Sequence, residues 1–116
     1  MDARTNEIFI RTKQFALRVI KMYAALPKTQ VAKVIGHQIL RSGTSVGAQY
    51  AEAHHAKSDA DFLSKISGSL QELEETRYWL ELLELSEVVK PERIKDLQKE
   101  TSELIAIFIT IAKKVR

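Results

Sequence analysis

The sequence predicts an all-α protein, an antiparallel up-down-up-down four-helix bundle. Apolar residues recur at alternating spacings of four and three through long segments of good helix formers. Breaks fall between those segments at Leu26-Pro27-Lys28, His55-Ala56-Lys57-Ser58 and Val89-Lys90-Pro91. Only four Gly and two Pro among 116 residues argue against a loop-rich or many-stranded fold. Short connections make consecutive helices antiparallel neighbours. The predicted helices run over about 6–26, 28–55, 59–86 and 91–115, within one domain spanning 1–116.

In the first segment Ile8, Thr12, Phe15, Val19, Met22 and Leu26 form the inward seam. Pro27 disfavours helical geometry at Leu26 and marks a turn. Arg4, Arg11, Arg18, Lys21 and Lys28 are read as the opposite, outer side of this helix. The second segment has a core face of Ala32, Ile35, Ile39, Val46, Tyr50 and Ala53. Beside it runs a polar row, Gln38, Arg41, Ser45, Gln49 and Glu52, and on the other flank Gly36, Gly43 and Gly47 line up. A mid-helix glycine costs about 0.5–1 kcal/mol relative to alanine. The close approach of a neighbouring helix is the natural reason for them, and a helix broken near Ser42–Ser45 the competing one.

The third segment opens on Ser58-Asp59-Ala60-Asp61, a variant of the capping box. Its seam is Phe62, Ile66, Ser69, Leu73, Thr76, Leu80 and Leu83, with most of its glutamates off that line. The fourth begins with Pro91 at a first helical position and continues through Ile94, Leu97, Thr101, Leu104, Phe108, Ile111 and Val115. Lys113, Lys114 and Arg116 suit the negative end of its dipole. Ile105, Ile107 and Ile109 widen the apolar surface beyond one stripe, which points to a subunit or partner contact on this helix.

Composition narrows the function classes. With no cysteine there are no disulfides, thiolate metal sites or cysteine nucleophiles. No apolar run approaches the roughly 18–20 residues of a membrane span, and the first residues lack a signal-peptide pattern, so a cytoplasmic location is expected. Residues 1–57 carry nine Lys/Arg against three acidic residues, a net +6, whereas residues 58–116 carry a net −3. Such asymmetry suits self-association through opposite faces or a polyanion partner on the basic side.

Catalytic motifs dissolve on inspection. Gly43-Thr44-Ser45-Val46-Gly47 matches G-x-S-x-G, but the nucleophile elbow needs a preceding strand, and here the preceding pattern is helical. His54 and His55 are adjacent and diverge on a helix, His37 lies far upstream, and the single Glu-x-x-His, Glu52 to His55, has no second copy on another helix as a di-iron bundle requires. No enzyme, cofactor, metal or small-molecule substrate is therefore expected. Arg41 and Glu52 are expected to meet charged partners such as Glu72 or Arg77 on another helix or subunit. The basic row of the first helix would favour a phosphate backbone through counterion release, and without interleaved aromatics it would not stack bases.

Gln38-Ile39-Leu40-Arg41, Ser45, Gln49-Tyr50-Ala51-Glu52-Ala53 and Phe62-Leu63-Ser64-Lys65-Ile66-Ser67-Gly68-Ser69-Leu70-Gln71-Glu72-Leu73 together resemble the four-helix bundle proteins of the 23S rRNA-intervening-sequence family. The similarity spans Phe15 to about Val115. Gln49 stands where that family usually has Asn, and Ala53 is followed by two histidines where Gly is common. The resemblance implies a bacterial bundle assembling as a ring-shaped homopentamer, with no enzymatic activity generally assigned. It also implies kinship with accessory proteins of diversity-generating retroelements, which form similar basic barrels and bind nucleic acid. Carried over, Arg41, Ser45, Gln49, Glu52, Gly68, Ser69 and Glu72 are motif positions with a structural or interface role. Two functions follow as expectations. One is a non-enzymatic oligomer that binds RNA or DNA through Arg4, Arg11, Arg18, Lys21 and Lys28; the other is a protein-interaction or assembly module without nucleic-acid binding.

Overall fold

Helix starts in this chain are set by short polar side chains that accept from backbone amides left without a carbonyl partner. The computed structural model describes residues 2–115 and holds four α-helices: α1 (Ala3–Ala24), α2 (Gln30–Ala53), α3 (Asp59–Leu85) and α4 (Pro91–Val115). The Asp2 carboxylate accepts from the Thr5 amide at 2.8 Å, so α1 begins at residue 3 rather than near 6. Thr29 accepts from the Ala32 amide at 3.2 Å and moves the start of α2 from 28 to 30. At α3 the Ser58 hydroxyl accepts from the Asp61 amide at 3.1 Å. The return bond of the expected capping box goes one residue upstream: the Asp61 carboxylate accepts from the Lys57 amide at 3.3 Å.

The helices also end earlier than periodicity suggests. Ala25 caps α1, His54 caps α2 and Ser86 caps α3, so the last helical residues are 24, 53 and 85 instead of 26, 55 and 86. Beyond Ser86 the chain reverses through Glu87, whose φ of 59° lies in the left-handed region that glycine or asparagine usually occupies at a helix end. Lys113 and Lys114 lie in the last turn of α4, and Arg116 lies outside the described residues.

The bundle is a cylinder of about 44 × 23 × 19 Å. Nearly every seam residue is buried, among them Ile8, Phe15 and Val19 of α1, Ile39 and Tyr50 of α2, Ile66 and Leu80 of α3, and Leu104 and Phe108 of α4. Met22, Ile35, Phe62 and Ile111 are only half-buried and pack against that core from its edges. The surplus expected on α4 is largely absorbed: Ile105 is buried, Ile107 packs on the core, and Ile109 alone of the three stays open. Five hydroxyl residues, Thr12, Ser42, Ser69, Thr76 and Thr101, are buried with the apolar seam. Among the described residues no buried side-chain polar atom lacks a hydrogen bond. The Ser42 and Thr76 hydroxyls meet at 2.7 Å across α2 and α3, and Ser69 donates to the Val46 carbonyl at 3.0 Å.

Helix α2 is continuous through Ser42–Ser45, and its glycines seat α1. A Cβ on Gly43 would lie 2.7 Å from a Val19 methyl, and one on Gly47 would lie 2.9 Å from the Thr12 hydroxyl. Gly36 stands in the same way against Tyr23 and Leu26. On the other flank Gln49 lies across Gly68 of α3, in the space that a Cβ there would fill. The α1–α4 seam is the loosest of the four between neighbouring helices.

Val19 is fully buried and β-branched, so it cannot step aside for a methyl at position 43. Gly43→Ala should therefore lower stability by about 1–3 kcal/mol in urea unfolding, despite alanine's better helix propensity. The pair Gly43→Ala with Val19→Ala should behave sub-additively, because the smaller residue makes room.

Candidate interaction faces

The motif residues fall on one face of the α2–α3 pair. Along α2, Gln38, Arg41, Ser45, Gln49 and Glu52 form a stripe, and Val31 and Val34 continue it with the same spacing. Along α3 the facing stripe is Lys65, Gly68, Glu72, Glu75, Trp79 and Leu82. The two stripes meet where Gln49 packs on Gly68 and its amide donates to the Glu72 carboxylate at 3.4 Å. Further down, Lys65 and Glu52 approach to 3.8 Å with both side chains largely in solvent, a pair of little energetic weight. Ser69 is the exception among the motif positions. It points inward and ties α3 to the Val46 carbonyl.

Arg41 and Ser45 stand over Glu72. Burial, together with the neighbouring Glu75 carboxyl, raises the Glu72 pKa above its ordinary value, while Arg41 and Ser45 pull the other way. Arg77, an expected partner for the row, instead binds Glu74 one turn away on its own helix at 2.6 Å. Its place on the α3 wheel points it away from α2. Arg41 makes no salt bridge among the described residues. Ser45 is no elbow nucleophile: its hydroxyl donates to the Arg41 carbonyl at 2.6 Å within an unbroken helix.

The basic row of α1 is placed differently from its expectation. Arg4, Arg11 and Arg18 flank the α1–α4 seam rather than the outermost side, because steps of seven residues keep them beside Ile8 and Phe15. The outermost side is held by Ile10 and Leu17, 57 % and 64 % exposed. Arg11 is not free. Its guanidinium donates twice to Glu100 and once to Glu103, each bond 2.8 Å long, which fastens α1 to α4. The bonds to Glu100 hold its proton more tightly than usual. Arg4, Arg18, Lys21 and Lys28 make no salt bridge among the described residues.

Where the α1–α4 seam opens toward the α1 C-terminus, Arg18, Lys21, Lys90 and Arg93 rim a groove. Its floor is apolar, from Met22, Leu26, Val88 and Leu97, and Glu92 and Asp96 also line it. Lys90 and Arg93 join this rim without any signal in the sequence, because only the fold brings the start of α4 beside the end of α1.

Two of the three histidines lie against aromatic rings. His54 sits against Tyr50, Phe9 and Phe62 with ring centroids 4.7, 5.2 and 5.8 Å away, and burial lowers its pKa. That cluster gives α2 an aromatic ending where Gly is common in the family pattern. His37 stacks on Tyr23. Among the described residues no three His, Asp or Glu side chains gather closely enough to hold a metal ion. No helix is long and apolar enough to cross a membrane.

Two outcomes test this picture. Arg11→Ala strands the Glu100 carboxylate, only 15 % exposed, and should cost about 1–2 kcal/mol, whereas Arg18→Ala should stay within about 0.5 kcal/mol. Within a single bundle, at concentrations too low for self-association, Glu72→Gln should raise the melting temperature at pH 7. A raised folded-state pKa means that the stability attached to the protonated form is complete below the unfolded-state value near 4.5 and is lost as pH rises through the folded-state value. The gain from Gln should therefore vanish in melts at pH 4.

Residues 4–110 match the family model of the 23S rRNA-intervening sequence protein. A crystal structure of a protein of unknown function from the S23 ribosomal protein family of Bacteroides thetaiotaomicron superposes with a TM-score of 0.85. It is 39 % identical, over 91 % of this chain and 98 % of that one. No curated protein matches the chain. With nearly its whole length matched and the motif stripes on one face, the chain belongs to the 23S rRNA-intervening sequence protein family.

Proposed function

We propose that this chain is a non-catalytic cytoplasmic protein that assembles with copies of itself, as a ring of five, and holds RNA or DNA by the phosphate backbone. The observation that carries the nucleic-acid reading is a row of cations with no salt bridge among the described residues: Arg4, Arg18 and Lys21 along α1, Lys28 just past its end, and Lys90 and Arg93 beside them. Repetition around a ring multiplies weak contacts, so a modest charge per subunit suffices. Arg11 stays out of the contact row because α4 already neutralises it. The implied kinship with retroelement accessory proteins supports the same reading. A structural role for the family motif is supported by where its polar groups point, since they bind backbone carbonyls and one another rather than a shared reacting centre.

Fluorescence anisotropy with labelled single- and double-stranded oligonucleotides tests the proposal. Engagement of even four of these six cations predicts a loss of affinity of about a hundredfold between 50 and 200 mM salt. Arg18→Ala and Lys21→Ala should each reduce the salt slope by about one, while Arg11→Ala leaves it unchanged. No binding at low salt, or binding indifferent to salt, would overturn the nucleic-acid reading and leave the assembly module as the function.

A further inference from the structure

Helix α1 carries two heptad seams. The inner one packs in the core. The outer one is Ala3, Asn6, Ile10, Lys13, Leu17, Ile20 and Ala24, spaced three and four throughout, and all seven residues are exposed. Three large aliphatic side chains in one such line, Ile10, Leu17 and Ile20, have no partner within the bundle. A strict heptad seam is the pattern of a helix that lies against another helical surface.

We infer that the outer seam of α1 docks on the α2–α3 face of a second copy of this chain. Two complementarities select that occupant. The α2–α3 face has its own unpartnered apolar end, Val31 and Val34 at 55 % and 51 % exposure beside the half-buried Trp79. Below that end lie Glu72 and Glu75, two carboxyls near Arg41, with Lys65 of the same face turned to Glu52, while the α1 seam carries one charge, Lys13.

The heights agree as well. Thr12 lies against Gly47, so Lys13 sits level with the Ser45–Gln49 turn and hence with Glu72. Tyr23 lies against Gly36, which puts Ala24 level with Val34. A second bundle placed alongside with parallel axes and no axial slide therefore brings Lys13 to the carboxyl pair. The same placement brings Ile20 and Ala24 to Trp79 and Val34.

The contact is heterologous, one surface meeting a different one, so copies join head to tail. It leaves the α1–α4 groove and its cations uncovered. This inference rests on the self-assembly part of the proposed function and names the two surfaces that perform it.

Native mass spectrometry at micromolar concentration tests it with two exposed-site variants, Leu17→Glu and Val34→Glu. Each should convert the wild-type oligomer to monomer with helical circular dichroism retained, and with a melting temperature that no longer depends on protein concentration. An equimolar mixture of the two should form a 1:1 heterodimer. The Leu17→Glu chain keeps an intact α2–α3 face and the Val34→Glu chain an intact α1 seam, so one contact survives. An oligomer that persists in either variant, or a mixture that stays monomeric, overturns these surfaces while leaving self-assembly in place. A wild-type monomer overturns both.

Discussion

The closeness with which α1 and α3 lie on α2 is the constraint from which the rest of the molecule follows. Toward α1, three positions of α2 have no side chain, and Thr12, Val19 and Tyr23 fill the space so left. Toward α3, the short hydroxyls of Ser42, Thr76 and Ser69 replace bulk with hydrogen bonds across the interface. Close packing on both flanks fills the two seams of α2 with side chains. It also fixes the heights of the three helices, so residues distant in sequence, such as Gln49 and Glu72, meet in register.

Much of this was legible in the sequence, because core positions of a bundle repeat with the helical period. The inward seams of all four helices could be read, and so could the packing purpose of Gly36, Gly43 and Gly47. The ends of helices were read less well. Asp2 and Thr29 are caps that act through one local bond each, and no periodicity reveals them. Glu87 in a left-handed conformation contradicts local preference and is imposed by the reversal between α3 and α4.

Surface assignments suffered more, since a helical wheel fixes angles on one helix but not the direction of its neighbours. Arg11 looked like one of five equal cations until α4 brought Glu100 and Glu103 against it. The same blindness placed the apolar excess on α4, where Ile105 is in fact core and Ile109 alone of the three stays open; five exposed aliphatic side chains stand on α1 and α2.

The Arg11 contact also bears on how the bundle breathes. It is the salt bridge that spans α1 and α4, the seam where neighbouring helices touch least. These are the first and last helices, so one guanidinium is the charged tie between the two terminal segments, each of which is otherwise held by its own neighbour in the inner hairpin. The inner hairpin of α2 and α3 keeps its hydroxyl bridges. Local stability follows local packing, so the sparse α1–α4 seam is the least protected of the four against local opening.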